Sequence, residues 1–277
     1  MQTQMLKRPD GNIAYDDQGQ GPVVLCVPAG GDMRSEYRFF APLLVAAGYR
    51  VVTMDLRGQG ESSANWPDYS AAAVGSDMLA LLDHLHVESA FLVGASVATA
   101  AAIWAAAEAP ERVRGLVLIG GSARAAQPLV AQLSANLYLS PLWGQRVYSS
   151  FFPKMYPLAR PADFDEHRKK VDAMLKEPGR LRSMRRLFAK VGQEWDARIA
   201  RVTAPALILM GSRDPDFGQP EEEARRLAAR FTAAHPTVRI FEGAGHHLQA
   251  ELPEQVAESV LAFLAQSAPQ AAIPQEA

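Results

Sequence analysis

A single cysteine, Cys26, in 277 residues rules out an internal disulfide framework and a cysteine-based zinc site. Net charge is also scarce, because 28 Lys plus Arg stand against 30 Asp plus Glu and leave −2. With no global excess of positive charge to replace counterions, nucleic acid is not expected as a partner. The opening residues, MQTQMLKRPD, lack the apolar core of a secretory signal, so the sequence predicts a cytoplasmic protein. One long charge-free run is present. Residues 89–107, SAFLVGASVATAAAIWAAA, approach the length of a membrane span. The run is mostly alanine, is interrupted by Gly94, Ser96 and Thr99, and is flanked by Glu88 and Glu108 rather than by basic residues. A buried strand, a tight turn and a buried helix give the same composition, and no membrane association is expected.

With 48 % hydrophobic and 21 % charged residues, the composition is that of a globular protein. The length suits about two domains, or one large domain with an insertion. The segments MLKRP and NIAYDD flank Asp10-Gly11 and read as a hairpin. Apolar strand-like runs then alternate with helical patterns. VVLCVP (23–28), YRVVTMD (49–55), AFLVG (90–94), VRGLVLIGG (113–121), PALILMG (205–211) and TVRIFEG (237–243) read as strands. Helical patterns cover 36–48, 76–86, 97–108, 221–231 and 251–266, the last with Val256, Ser259, Val260 and Phe263 on one side. Continuous apolar strands alternating with helices predict an α/β fold, a mostly parallel sheet covered on both faces.

Residues 122–200 interrupt the alternation with helical patterns, proline breaks and no strand run. They hold nine of the chain's 22 aromatic side chains, from Tyr138 to Trp195, which suit either a cavity wall or the segment's own small core. Fourteen basic and seven acidic residues give this segment +7 and leave −9 for the remainder. Arg182, Arg185 and Arg186 fall at helical spacing and read as a solvated face, with attraction of an anionic group as the alternative. The tail SAPQAAIPQEA is Pro- and Ala-rich and is expected to be loosely held.

The sharpest chemical signal is Gly94-Ala95-Ser96-Val97-Ala98. A strand runs into a serine and an alanine-rich helix follows, which places the hydroxyl at a sheet edge and a helix N-terminus. Gly60-Glu61-Ser62-Ser63-Ala64 matches the same letters, but no strand ends at Gly60, and Asn65-Trp66-Pro67 does not start a helix. A serine needs a base, and the base needs an orienting acid. Asp214 follows the strand PALILMG, with Asp216 as its competitor, and His246 follows TVRIFEG, with His247 as its competitor. His247 reads as a neighbour facing the cavity, Asp55 as structural, and Cys26 as a small core residue. All three candidates, Ser96, Asp214 and His246, stand at carboxyl ends of strands, where ligands bind in open α/β sheets.

In this order and setting the sequence resembles the α/β-hydrolase fold family over about residues 10–266. DLRGQGES (55–62) is similar to the family's glycine-rich loop, and GAGHHLQAELPEQV (243–256) to its histidine loop and last helix. The resemblance implies about eight strands, with a helical cap (122–200) inserted between the sixth and seventh. The core would then be 1–121 and 201–266, and 267–277 the tail. It also implies a nucleophile at Ser96, an acid at Asp214, a base at His246, and an oxyanion hole from the amides of Val97 and Gly30. The sequence departs from the family in two places. Pro28-Ala29-Gly30-Gly31-Asp32 replaces the usual His-Gly, and Ala98 stands where glycine is usual. Serine rather than aspartate at position 96 speaks against the haloalkane dehalogenase and epoxide hydrolase variants of the family, whose alkyl-enzyme chemistry needs a carboxylate.

The expected activity is hydrolysis of a small ester or lactone with an apolar part through an acyl-enzyme, without cofactor or metal. The same residues also suit C–C bond hydrolysis, acyl transfer or cofactor-free perhydrolysis. A ligand receptor on the same fold is the alternative outside enzymes. Its sign would be an exposed apolar cap surface, for which LYLSPLWGQRVYSSFF (137–152) is a possible source.

Overall fold

In strand β3 (Val23–Val27), every residue is buried, and alternate side chains enter two different cores. Val23, Leu25 and Val27 point to one face, Val24 and Cys26 to the other. The same division runs through β5 (Ala90–Ala95), β6 (Val113–Ile119) and β7 (Ala206–Gly211), in which nearly every residue is buried. Helices cover both faces of these strands, which is why their sequences are continuous apolar runs rather than alternating ones. The computed structural model describes residues 3–122, 139–190 and 196–267.

The sheet has eight strands in the order β1-β2-β4-β3-β5-β6-β7-β8. β1 (Gln4–Arg8) and β2 (Gly11–Gln18) form the predicted hairpin, and β2 also pairs antiparallel with β4 (Arg50–Met54). All remaining pairings, out to β8 (Thr237–Phe241), are parallel. One face is packed by α2 (Ala71–His84) and α3 (Val97–Glu108), which touch each other along much of their length. The other face is packed by α1 (Phe40–Ala46) against the C-terminal helix at Pro253–Gln266. β3 lies between β4 and β5, so the chain leaves it first to one side and then to the other. The loops after β3 and β5 therefore diverge and open a crevice at their carboxyl ends.

Several boundaries differ from the sequence reading for local reasons. The helix expected at 76–86 begins at Ala71, because Ser70 caps it by accepting the Ala73 N–H (3.1 Å) and is itself held by Asp68. The pattern at 36–48 is split into a 3-10 turn (Arg34–Tyr37) and α1. The closing pattern is likewise two pieces, a short turn at Leu248–Glu251 and a helix from Pro253, where proline at the first helical position lacks the N–H that would be orphaned there.

Between β6 and β7 the described residues form helices and turns but no strand: α4 (Gly144–Phe151), a 3-10 turn (Phe152–Met155), α5 (Phe164–Lys176), α6 (Arg180–Lys190) and the short α7 (Asp196–Ile199). α8 (Pro220–Ala229) then leads to β8, and α9 (Leu248–Glu251) and α10 (Pro253–Gln266) follow it. Tyr148, Phe152, Tyr156, Phe164 and Met184 give α4–α6 an apolar core of their own. Tyr138, Trp195 and the tail from residue 268 lie outside the described residues. Arg182 and Arg186 are exposed, as a solvated face requires, and they also make contacts to a distant loop. Arg186 donates to the carbonyls of Trp66 (3.0 Å) and Pro67 (2.7 Å), and Arg182 to the Asn65 side chain (2.8 Å). They pin α6 to the 65–67 loop, a contact remote in sequence that helical spacing cannot reveal. No described helix is long and apolar enough to cross a membrane.

Candidate active site

Ser96 occupies the single residue between β5 and α3, at φ 51° and ψ −118°. That region costs a non-glycine residue about 1–3 kcal/mol, and it persists only when neighbours hold it. The Ser96 N–H donates to the Ile119 carbonyl (2.8 Å), while its carbonyl accepts from the Thr99 amide (3.0 Å) and hydroxyl (2.6 Å). A Cβ on Gly94 would lie 2.7 Å from the Ala98 carbonyl oxygen, so strand and helix meet too closely there for any side chain. Ala98 itself is fully buried and fits. The second match to the same pattern has a different role. The Ser62 hydroxyl is buried, accepts the Ala14 N–H (3.0 Å) and donates to the Asp55 carbonyl (3.2 Å). Asp55 is also structural, since its carboxylate takes the Arg34 guanidinium and the amides of Arg34 and Glu61.

His246 and Asp214 come from the turns after β8 and β7, and meet. Nδ1 of His246 and Oδ2 of Asp214 are 2.7 Å apart, with both side chains buried. The other Asp214 oxygen accepts the Asp216 N–H (3.0 Å). Asp216 is therefore not the partner of Nδ1; its Oδ2 stands 3.6 Å from Nε2, on the opposite edge of the ring. Burial disfavours the imidazolium, but the charges of Asp214 and Asp216, the Asp214 hydrogen bond and the charge of Glu36 outweigh it, and the His246 pKa is pushed up to about 10. Gly120, at φ +59°, lies against this pair. A Cβ there would stand 3.0 Å from His246 Cε1 and 3.4 Å from Asp214 Oδ2. Because Ser96 is bonded to Ile119, serine and histidine are set against the same 119–120 turn.

The loop after β3 carries Gly30 beside the start of α3. A Cβ on Gly30 would be 3.2 Å from Val97 Cγ2 and 2.5 Å from the Phe188 ring of α6. The predicted oxyanion residues Gly30 and Val97 are thus neighbours, roofed by an aromatic ring. The loop is held from beneath by Glu36, which is fully buried. One Glu36 oxygen accepts the Ala29 N–H (2.8 Å) and the other faces His247 Nδ1 (2.9 Å) and the Gln249 amide. His247 does not face the cleft: it is 1 % exposed and stacks on Tyr156 with ring centroids 5.1 Å apart. From above, His167 of α5 meets Asp32 (2.8 Å), and the Tyr148 hydroxyl donates to the Gly30 carbonyl (3.3 Å). Burial would raise the Asp32 carboxyl, but His167 and His247 hold it below its ordinary value. Sequence reasoning missed Asp32 and Glu36. Their only signal was a set of charges in GGDMRSEY directly after a buried strand, which a solvated loop would share.

Two described groups have metal-ligand chemistry, Asp32 with Glu36 and His247, and Asp214 with Asp216 and His246. In each the histidine is already engaged by a carboxylate of its own group, so hydrogen bonding accounts for both.

A family model for the alpha/beta hydrolase fold matches residues 22–253. The chain belongs to that family. Among relatives of this alpha/beta hydrolase, the dihydrolipoyllysine-residue acetyltransferase component of the acetoin cleaving system of Pseudomonas putida is 32 % identical over 89 % of the chain. The chain spans 64 % of that protein's length. A 2-hydroxy-6-oxononadienedioate/2-hydroxy-6-oxononatrienedioate hydrolase of Paraburkholderia xenovorans is 30 % identical over 94 % of the chain and 93 % of its own. A solved hydrolase from Pseudomonas aeruginosa superimposes with a TM-score of 0.80 at 26 % identity, over 95 % of this chain and 98 % of that one.

Proposed function

We propose that this alpha/beta hydrolase is a serine hydrolase that cleaves a small, partly apolar ester or lactone through an acyl-enzyme. The observation that carries the reading is the buried His246–Asp214 bond of 2.7 Å set against the same turn as the Ser96 elbow. In the proposed cycle His246 Nε2 takes the Ser96 proton as Oγ attacks the carbonyl carbon. The amides of Gly30 and Val97 receive the oxyanion, and Asp214 stabilises the imidazolium. The proton passes to the leaving oxygen, the C–O bond breaks, and the acyl group stays on Ser96. Water then loses a proton to His246 as its oxygen attacks the acyl carbon, and that proton passes to Ser96 Oγ as the Oγ–acyl bond breaks, which releases the acid and restores the serine. Helices α4–α6 act as a cap, and Phe188, Val97 and Met184 supply the apolar surface beside the oxyanion loop.

The reading is tested by release of p-nitrophenol from acetate, butyrate and octanoate esters by the native chain and by Ser96→Ala. Turnover that vanishes in the variant is the expected result. Equal rates in the two would refute a serine nucleophile.

C–C bond hydrolysis is the second reading, favoured by the 30 % identity to a hydrolase named for 2-hydroxy-6-oxononadienedioate. The same serine, histidine and oxyanion donors suit attack on a ketone flanked by a conjugated dienol. Ser96-dependent loss of the visible absorption of such a dienol, at a rate above that of the esters, would favour it over the first reading.

A further inference from the structure

Both edges of the His246 imidazole face a carboxylate, and only one of these belongs to the proposed reaction. Asp214 is fully enclosed and bonds Nδ1. Asp216 has a side chain 38 % exposed, and it stands 3.6 Å from Nε2. Its position is built in by the chain. The Asp216 N–H donates to Asp214 Oδ1 (3.0 Å), so the acid that orients the ring also fixes the backbone from which the second carboxylate reaches the other edge. No Lys or Arg among the described residues forms an ion pair with Asp216.

We propose that Asp216 is a specificity-determining residue of the site, whose carboxylate favours the more positive leaving group, cationic over neutral and neutral over anionic. The proposal rests on the serine-hydrolase reading. In that reading Nε2 delivers the proton to the leaving atom, so this atom lies within one hydrogen bond of Nε2. Asp216, 3.6 Å from the same nitrogen, is then its near neighbour. When His246 carries the proton, an Asp–His pair alone is neutral. With Asp216 ionised as well, the three groups sum to one negative charge, and the leaving group departs into that field. Because Asp216 is partly exposed, the effect is screened and modest, roughly five- to tenfold between leaving groups that differ by one charge.

The test is the rate at which Ser96 is phosphorylated by two reagents with the same diethoxyphosphoryl group. In one the leaving thiol carries a trimethylammonium group, and in the other a tert-butyl group of the same shape. Oγ–P bond formation and P–S cleavage are read as adduct mass on the peptide holding Ser96. The native chain is expected to react roughly five- to tenfold faster with the cationic reagent, with the ratio falling as salt is added. In Asp216→Asn the ratio is expected to fall to within about twofold of unity. A ratio that survives the substitution overturns the role of Asp216 and leaves the serine-hydrolase reading intact. Failure of both reagents to modify Ser96 in the native chain would instead overturn that reading, and this proposal with it.

Discussion

The elevated pKa of His246 makes the proposed base a poor one at neutral pH, and the perturbation that exposes this is pH itself. Burial opposes the imidazolium, yet Asp214, Asp216 and Glu36 together push the pKa up to about 10, against an ordinary 6.5. The reaction begins with neutral imidazole. At pH 7 roughly one free molecule in a thousand then carries an active base, and kcat/KM rises about tenfold per pH unit until it levels near pH 10. The assay is kcat/KM for a neutral ester from pH 6 to 10.5, with the Ser96→Ala rate subtracted at each point. Stability moves the other way. A histidine whose folded pKa lies above its unfolded value contributes its full stabilisation below pH 6.5 and loses it as pH climbs through 10. For this shift the contribution is on the order of 5 kcal/mol. Denaturant midpoints measured over the same range are therefore expected to fall while activity rises. A kcat/KM profile that is flat above pH 7.5 would show that Asp214, Asp216 and Glu36 do not raise the His246 pKa in solution.

Substitutions at three positions separate the parts of the site. Gly120→Ala places a Cβ 3.0 Å from His246 Cε1 at φ +59°, and is expected to lower kcat/KM roughly 100-fold while costing about 1–3 kcal/mol in urea unfolding. Glu36→Ala leaves the Ala29 amide and His247 without their buried partner. It is expected to cost about 3–5 kcal/mol, a loss that Glu36→Gln should partly restore if hydrogen bonding rather than charge is what holds the loop. Ser62→Ala removes two buried hydrogen bonds and no reacting group, so thermal unfolding should register about 1–3 kcal/mol while the ester rate stays within about twofold.

The parts of this molecule that were legible in the sequence are those governed by local order. Strands β3, β5, β6 and β7 announce themselves because both faces are covered and nearly every position is apolar. Ser96 could be told from Ser62 because only one follows a strand and precedes a helix, and the hydrogen bonds of Ser62 bear out a structural role. Asp214 could be preferred to Asp216 by its place after β7, and the 2.7 Å contact to Nδ1 agrees. What the sequence hid are pairings between distant segments. Glu36 reaches His247, His167 reaches Asp32, and Arg186 reaches the carbonyls of residues 66 and 67. A charged residue headed for such a pairing has the same letter as one headed for water. His247 turns inward rather than toward the cleft, and nothing near it in sequence shows the carboxylate that draws it there.

The proposed function rests on Ser96 as a nucleophile activated by His246. The most direct measurement is peptide mass mapping after brief exposure to a fluorophosphonate, on the native chain, Ser96→Ala and His246→Ala. One phosphonyl adduct is expected on the peptide bearing Ser96 in the native chain, none in Ser96→Ala, and labelling slowed by at least about a hundredfold in His246→Ala. Modification of Ser62 in place of Ser96, or labelling of Ser96 that is as fast without His246, would contradict it.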